Sequence, residues 1–140
     1  MQVSAIPTEH VVDVWPSVRA FVEDVCVHTH GRYEPDDVLE ELFAGVSHLW
    51  VAFEGRDIVG AVVTNFMDYP RKRVLNCPFV MGDDFKSWKN PMLELLQRFA
   101  KDHGCECLES TARLGWARVF KDDGYKALWQ TFELPLGEEE

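Results

Sequence analysis

The segment from Leu75 to Gly104 has the residue types and spacing that most clearly indicate a binding site. An apolar run ends at Met81, the acidic turn 82–84 follows, and an amphipathic pattern then begins. A strand that passes through a turn into a helix aims the first free N–H groups of the helix at the space above the turn, and many folds bind phosphate in this way. The segment therefore predicts a strand over 71–81, a helix over about 85–103, and a potential anion site between them.

Periodicity supports the helical part of this prediction. Apolar residues recur at helical spacing after the turn, at Met92, Leu95, Leu96, Phe99 and Ala100. Lys101 and His103 precede Gly104, and this combination is typical of a helix C-terminus.

Two other groups of reactive residues favour structural roles. Cys26, His28 and His30 are of residue types that commonly bind metal ions. However, side chains two residues apart on a helix point in different directions, and the sequence shows no apparent fourth ligand. We therefore expect no metal. The four cysteines lack C-x-x-C spacing, so buried thiols are the simplest interpretation.

Length and composition limit the classes of function. The 140 residues predict a single domain over 1–136 with an acidic tail over 137–140. A net charge of −10 argues against general nucleic-acid binding, which needs a basic surface, and suits a cationic or amine substrate. No apolar run approaches about 18 residues and no signal architecture begins the chain, so we expect a cytoplasmic protein without membrane contact.

The remaining pattern predicts the α+β class, with elements in the order β-α-α-β-β-β-α-β-α-β. Pro16 interrupts the first helical pattern and predicts a kink or a late helix start, whereas Pro35 suits a first helical position. The other predicted elements are a strand at 2–6, helices at 8–28, 35–44 and 114–122, and strands at 47–53, 58–66, 105–111 and 125–136.

This order of elements resembles the Gcn5-related N-acetyltransferase (GNAT) fold over nearly the whole chain. The local similarities are LWVAFEGRDIVGAVVT (Leu49–Thr64), MLELLQRFAKDHGC (Met92–Cys105) and GWARVFKDDGY (Gly115–Tyr125). The combination is similar in particular to small GNAT-like proteins of bacteriophages. The resemblance implies a mixed, mainly antiparallel sheet flanked by helices, with acetyl-CoA as cofactor.

The resemblance also implies where acetyl-CoA would bind, namely beside the strand 71–81 and over the start of the next helix. The residues at the matching positions are Val80, Met81, Gly82, Lys86, Trp88 and Lys89. Backbone N–H groups near Val80 and Met81 either polarise the thioester carbonyl or take part in ordinary sheet pairing. Trp88 either stacks on adenine or fills the groove that the cofactor would use.

Three departures from the family pattern accompany this resemblance. The family loop carries a basic residue and two glycines, whereas this chain has only Gly82 and places two aspartates where phosphate charge would arrive, at a cost on the order of a kcal/mol. Enzymes of the family often use a tyrosine on the terminal helix to protonate the departing thiolate of coenzyme A. In this chain that position is occupied by Phe120, which has no proton to donate. Only one strand can follow Gly124, where the family usually has two, so an open edge invites a second copy or another protein partner.

Acetyl transfer to an amine needs a base, and Glu109 and Asp68 are the candidates. The alternative is that both are solvated carboxylates. Two hypotheses follow: an acyl-CoA-dependent N-acetyltransferase with a degenerate cofactor loop, or a non-catalytic GNAT-fold binding or assembly component, for example of a phage particle. A phage-encoded chain would be located in the host cytoplasm or the virion.

Overall fold

Alternating apolar residues form a five-stranded sheet in the computed structural model, which describes residues 1–112 and 116–137. The strands are β1 (Gln2–Ile6), β2 (His48–Glu54), β3 (Asp57–Tyr69), β4 (Lys72–Gly82) and β5 (Cys107–Glu109). They lie side by side in chain order, antiparallel throughout except for the parallel pair of β4 and β5. The predicted α+β class and the mixed, mainly antiparallel sheet are confirmed.

The helices are α1 (Val11–Cys26), α2 (Pro35–Phe43), α3 (Phe85–Asp102) and α4 (Ala117–Asp122). Pro35 occupies the first position of α2, and Glu34 and Asp37 cap that helix reciprocally. A 3-10 turn at Thr8–His10 leads into α1, which begins before Pro16 and continues through it, so the predicted late start is wrong. Within the described ranges no helix is long and apolar enough to cross a membrane.

The sheet separates two hydrophobic cores because successive strand residues point to opposite faces. The first core joins α1 and α2 to one face through Val11, Trp15, Val18, Val22, Val38, Leu42, Leu49, Val51, Ala61, Val63, Phe79 and Met81. The second joins α3 to the other face through Trp50, Ala52, Val62, Leu75, Cys77, Trp88, Met92, Leu96 and Ala100. We refer to these as the α1/α2 face and the α3 face.

A bulge in β4 changes which face its side chains occupy. Cys77 and Pro78 together oppose Thr64 of β3, so β4 carries one extra residue at this point. Proline has no N–H to contribute to the sheet and is tolerated at such a position. Consequently Cys77 packs against α3, whereas Phe79, two residues later, packs on the α1/α2 face.

The turn from β4 into α3 is closed by Trp88, whose side chain is completely buried. Its indole lies against the bare backbone of Gly60, where an added Cβ would come 2.4 Å from the ring. Its Nε1–H donates a 2.8 Å hydrogen bond to the carbonyl oxygen of Asp83. Gly82 has a φ of +108°, and a Cβ there would lie 2.4 Å from the Cα of Gly60. The turn therefore depends on two glycines in contact beneath one tryptophan.

The C-terminal part differs from the prediction. The strand predicted at 125–136 is wrong, because residues 125–137 have no regular secondary structure. The strand predicted at 105–111 is shorter and spans Cys107–Glu109. The described residues exclude 113–115, of which 114 and 115 begin the predicted terminal helix, and 138–140 of the predicted acidic tail.

We expect the substitution Gly60→Ala to destabilise the fold by about 1–3 kcal/mol, because the new methyl group would overlap the Trp88 ring and force it or the strand to move. Chemical denaturation followed by tryptophan fluorescence measures this difference. Gly137→Ala is the matched control, since a Cβ at that position meets nothing within 4 Å. Equal stability of the two variants would contradict the role assigned to this contact.

Candidate functional site

The candidate site is the opening between β4 and β5. The two strands pair only from Val74–Asn76 to Cys107–Glu109, and β4 then continues through Cys77–Gly82. Among the described residues no strand pairs with this continuation on the side of β5. We call the space between Cys77–Gly82 and the chain after Glu109 the wedge. Its backbone N–H and C=O groups need partners, which an extended chain bearing amides can provide.

One side of the wedge begins at the bulge, where Cys77 is buried. Burial raises the pKa of the Cys77 thiol to about 12, and a hydrogen bond with Ser110 opposes this only in part. The thiol therefore stays protonated at neutral pH. Because the thiolate is the nucleophilic form of cysteine, Cys77 is a packing residue and does not act as a nucleophile.

Tyr125 interacts electrostatically with Cys77 and was missed as a site residue in the sequence, where it fell at the start of the predicted last strand. Its N–H donates to the carbonyl oxygen of Phe120 at 3.0 Å, and its ring lies 4.8 Å from that of Phe120. The N–H of Gly124, which has a φ of +88°, bonds to the carbonyl oxygen of Lys121. These contacts form a Schellman motif, which a Gly-aromatic pair after a helix could have indicated.

The environment of Tyr125 keeps its phenol protonated. Burial is the main cause that raises the pKa of Tyr125 above its ordinary value, and the nearby Cys77 and Asp123 act in the same direction. A neutral phenol that interacts electrostatically with Cys77 can donate a proton to a nearby group that develops negative charge.

The N-terminus of α3 lies directly beyond the wedge. Asp84 precedes the helix in a left-handed conformation, with a φ of 54°, and no side chain caps the first N–H groups. The carboxylate of Asp84 accepts a 2.8 Å hydrogen bond from the hydroxyl of Ser87 instead. The partial positive charge of the helix end is therefore available to an anion, but it lies beside two acidic side chains, Asp83 and Asp84.

Aromatic contacts join α4 to the first turn of α3. The Phe85 ring lies 4.9 Å from Trp88 and 5.2 Å from Trp116. Lys89 and Asp123 form a partly buried ion pair at 3.0 Å. The Lys89 ammonium is therefore paired with the residue that follows α4. Because Trp88 is completely buried, its ring has no face on which an adenine could stack. Lys86, in contrast, is exposed.

The two carboxylates proposed as bases are held by different partners. The Nε of Arg73 lies 3.2 Å from Asp68, at an angle that makes the contact an ion pair rather than a hydrogen bond. The carboxylate of Glu109 accepts a 2.8 Å hydrogen bond from the hydroxyl of Tyr69. Glu109 pairs with Asn76 at the last paired position before the wedge opens.

Strand alternation puts these carboxylates on opposite faces of the sheet. Phe66 packs on the α3 face, and so Asp68, two residues later, belongs to that face. Leu108 also packs there, which puts its neighbour Glu109 on the α1/α2 face. Of the two, only Glu109 is close to the wedge.

A buried polar network lies across the sheet from the bulge. Thr64, which opposes the bulge, accepts a 2.9 Å hydrogen bond from Nε1–H of Trp50 and lies 2.9 Å from Nδ1 of His48. Burial lowers the pKa of His48, and the charges of His103 and Arg73 act in the same direction. The neutral form of His48 is therefore favoured at physiological pH. Within the described part of the chain, no group of three or more His, Cys, Asp or Glu residues is arranged to hold a metal ion.

Comparison with known proteins depends on structure alone. No protein-family model and no curated protein matches the sequence. Solved structures match over almost the whole chain. A predicted acetyltransferase with acetyl-CoA from Clostridium acetobutylicum is 16% identical, with a TM-score of 0.70, and the match covers 96% of this chain and 95% of that one.

Two further structures are similar to the same extent. An aminoglycoside acetyltransferase from an uncultured soil metagenomic sample is 13% identical, with a TM-score of 0.72, and the match covers 97% of this chain and 98% of that chain. A ribosomal-protein-alanine N-acetyltransferase from Brucella melitensis biovar Abortus 2308 is 12% identical, with a TM-score of 0.69. The match covers 97% of this chain and 100% of that chain. This chain has the GNAT fold.

The GNAT fold of this chain brings some of the predicted site residues together and separates others. Val80, Met81 and Gly82 lie on the unpaired part of β4, and Lys86 follows at the start of α3. Trp88 is a core residue that closes the turn, which favours the groove-filling interpretation over stacking on adenine.

Proposed function

We propose that this GNAT-fold protein is an acyltransferase that moves an acyl group from acetyl-CoA to an amine. The observation that carries the proposal is the unpaired edge of β4 from Cys77 to Gly82, beside the parallel strand β5. The pantetheine arm of coenzyme A is an extended chain with amide groups, so it can pair with a free strand edge as an added strand does. The similar Clostridium protein with acetyl-CoA supports this choice of cofactor.

The residues present fit the pantetheine part of acetyl-CoA better than its phosphates. The uncapped N–H groups at the start of α3 and the exposed Lys86 favour the pyrophosphate. Asp83 and Asp84 oppose it, because like charges a few ångströms apart cost on the order of a kcal/mol. The cofactor loop is thus degenerate, and we expect weaker binding than a glycine-rich loop would give.

Acetyl-CoA would supply an acyl group that is already activated as a thioester. Backbone N–H groups near Val80 and Met81 would polarise the thioester carbonyl. Glu109, directly or through water, would take the proton from the attacking amine nitrogen. Tyr125 would give a proton to the sulfur as the carbon–sulfur bond breaks, and so takes the role that Phe120 cannot fill.

The second candidate is a non-catalytic GNAT-fold protein that serves as a binding or assembly component, for example in a phage particle. The contacts of Phe85 with Trp116 and of Lys89 with Asp123 favour it, because they fill the space beside the start of α3. The two candidates differ in whether acetyl-CoA binds at all.

We expect isothermal titration calorimetry to show one acetyl-CoA site per chain and Asp84→Asn to tighten it by about fivefold, the equivalent of about one kcal/mol. The substitution removes a negative charge near the phosphates, and asparagine tolerates the left-handed backbone at a φ of 54°. Asp24→Asn, on the exposed surface of α1, is the matched control and should leave the affinity unchanged. The absence of heat with both the wild type and Asp84→Asn would support the non-catalytic candidate and reject the enzyme.

We expect Tyr125→Phe to lower the turnover number by about 10²-fold or more, because the departing thiolate loses its proton donor. The affinity for acetyl-CoA should not change, since the phenol acts on the leaving group. Release of free thiol, with a lysine-containing peptide or a polyamine as acceptor, measures the rate. Tyr33→Phe, which removes a phenol from the connection between α1 and α2, is the control. Equal turnover by Tyr125→Phe and the wild type would exclude this role for Tyr125.

A further inference from the structure

The C-terminal tail, defined as Lys126–Leu136, is exposed along its whole length and has no regular secondary structure. Its large apolar side chains and their exposed fractions are Leu128 (61%), Trp129 (70%), Phe132 (84%), Leu134 (85%) and Leu136 (88%). Exposure of large apolar side chains to water is unfavourable, so a segment that exposes this many together indicates an interaction surface.

The composition of the tail is that of a strand. Phe132, Leu134 and Leu136 alternate with Glu133 and Pro135, which places three apolar side chains on one face of an extended chain. The only proline lies next to the last of these positions, where a strand tolerates it. Among the described residues no strand pairs with the tail, which explains why the alternating pattern did not produce a strand.

The sheet of the same chain has a vacant edge. β5, at Cys107–Glu109, pairs with β4 on one side, and no strand of the described residues pairs with it on the other. Cys107 is exposed at this edge. An open edge presents unpaired N–H and C=O groups to any extended segment of suitable length.

The tail forms an ion pair on the α1/α2 face of its own chain. Arg32, between α1 and α2, forms a 2.7 Å ion pair with Glu133 at the middle of the tail. The neighbouring Tyr33 packs edge-on against Phe79 of β4 at 5.3 Å, which places this connection over β4 on the α1/α2 face. Among the described residues the tail and the outer edge of β5 are therefore not paired with each other.

We propose that the tail of each chain adds as a strand to the outer edge of β5 in a second copy, forming a symmetric homodimer. Each chain carries one surplus strand and an open outer edge on β5, so two copies can exchange their tails reciprocally and the assembly closes at a dimer. An aromatic side chain buries about 150–250 Å². With Trp129 and Phe132 in each tail, and the surfaces they cover, the total reaches the roughly 1,200 Å² of a stable interface.

The first test is the mass of the full-length protein by sedimentation equilibrium over a range of concentrations. We expect the wild type to reach twice 16.1 kDa. The double variant F132E/L134E should remain monomeric, since it places charges on the face that would be covered. The matched control is V12E/V27E, which changes two exposed apolar residues of the helical surface to glutamate and so adds the same charge. This control should dimerise as the wild type does.

The second test distinguishes exchange between copies from folding of the tail onto its own chain. Thr131→Cys and, separately, Phe132→Cys place a thiol on the tail that can react with the exposed Cys107 of β5 on mild oxidation. Exchange between copies predicts a disulfide-linked dimer on a non-reducing gel. The same variants combined with Cys107→Ser should show no such dimer.

Three results would overturn the proposal. These are a wild-type monomer at the highest attainable concentration, a dimer that F132E/L134E leaves intact, and a disulfide that forms only within one chain. The readouts are mass and crosslinking, so they are independent of whether the protein binds acetyl-CoA.

Discussion

The contact between the Trp88 indole and the bare backbone of Gly60 determines the geometry of the whole site. The ring can lie there only because Gly60 has no Cβ, and its Nε1–H is satisfied by the carbonyl oxygen of Asp83. This arrangement fixes where β4 ends, the direction in which α3 leaves the sheet, and the depth to which α3 packs. The position and direction of the N-terminus of α3 thus follow from the packing of the buried Trp88 side chain against β3.

The same contact limits what the turn into α3 can offer a phosphate. Gly82 is the only glycine of the turn, and its φ of +108° and its approach to Gly60 commit it to packing between strands. It is not available for close approach of a phosphate. Any binding energy for a coenzyme must therefore come chiefly from the free edge of β4, from Lys86 and from the end of α3. For the proposed acetyl-CoA ligand, the pantetheine arm is therefore the part that the wedge would fit best.

Much of the fold could be predicted from the sequence because its signals are local. The amphipathic period of α3, Pro35 at the start of α2 and the glycine turn between β2 and β3 each act over a few residues. The site was less predictable, since it depends on contacts between distant segments. The proximity of Tyr125 to Cys77 follows from how α4 packs and not from a motif. The strand predicted at 125–136 shows the opposite case, in which a correct local pattern lacks the partner that a strand requires.

The central claim is that acetyl-CoA binds along the wedge, and backbone amide chemical shifts measure it most directly. Titration of isotopically labelled full-length protein with acetyl-CoA should shift the amides of 79–82 on β4 and those of Phe85 and Lys86 at the start of α3. The amides of β1 and of the exposed face of α1 should stay in place. Shifts confined to surfaces away from β4 and α3, or no shifts at saturating ligand, would contradict the account.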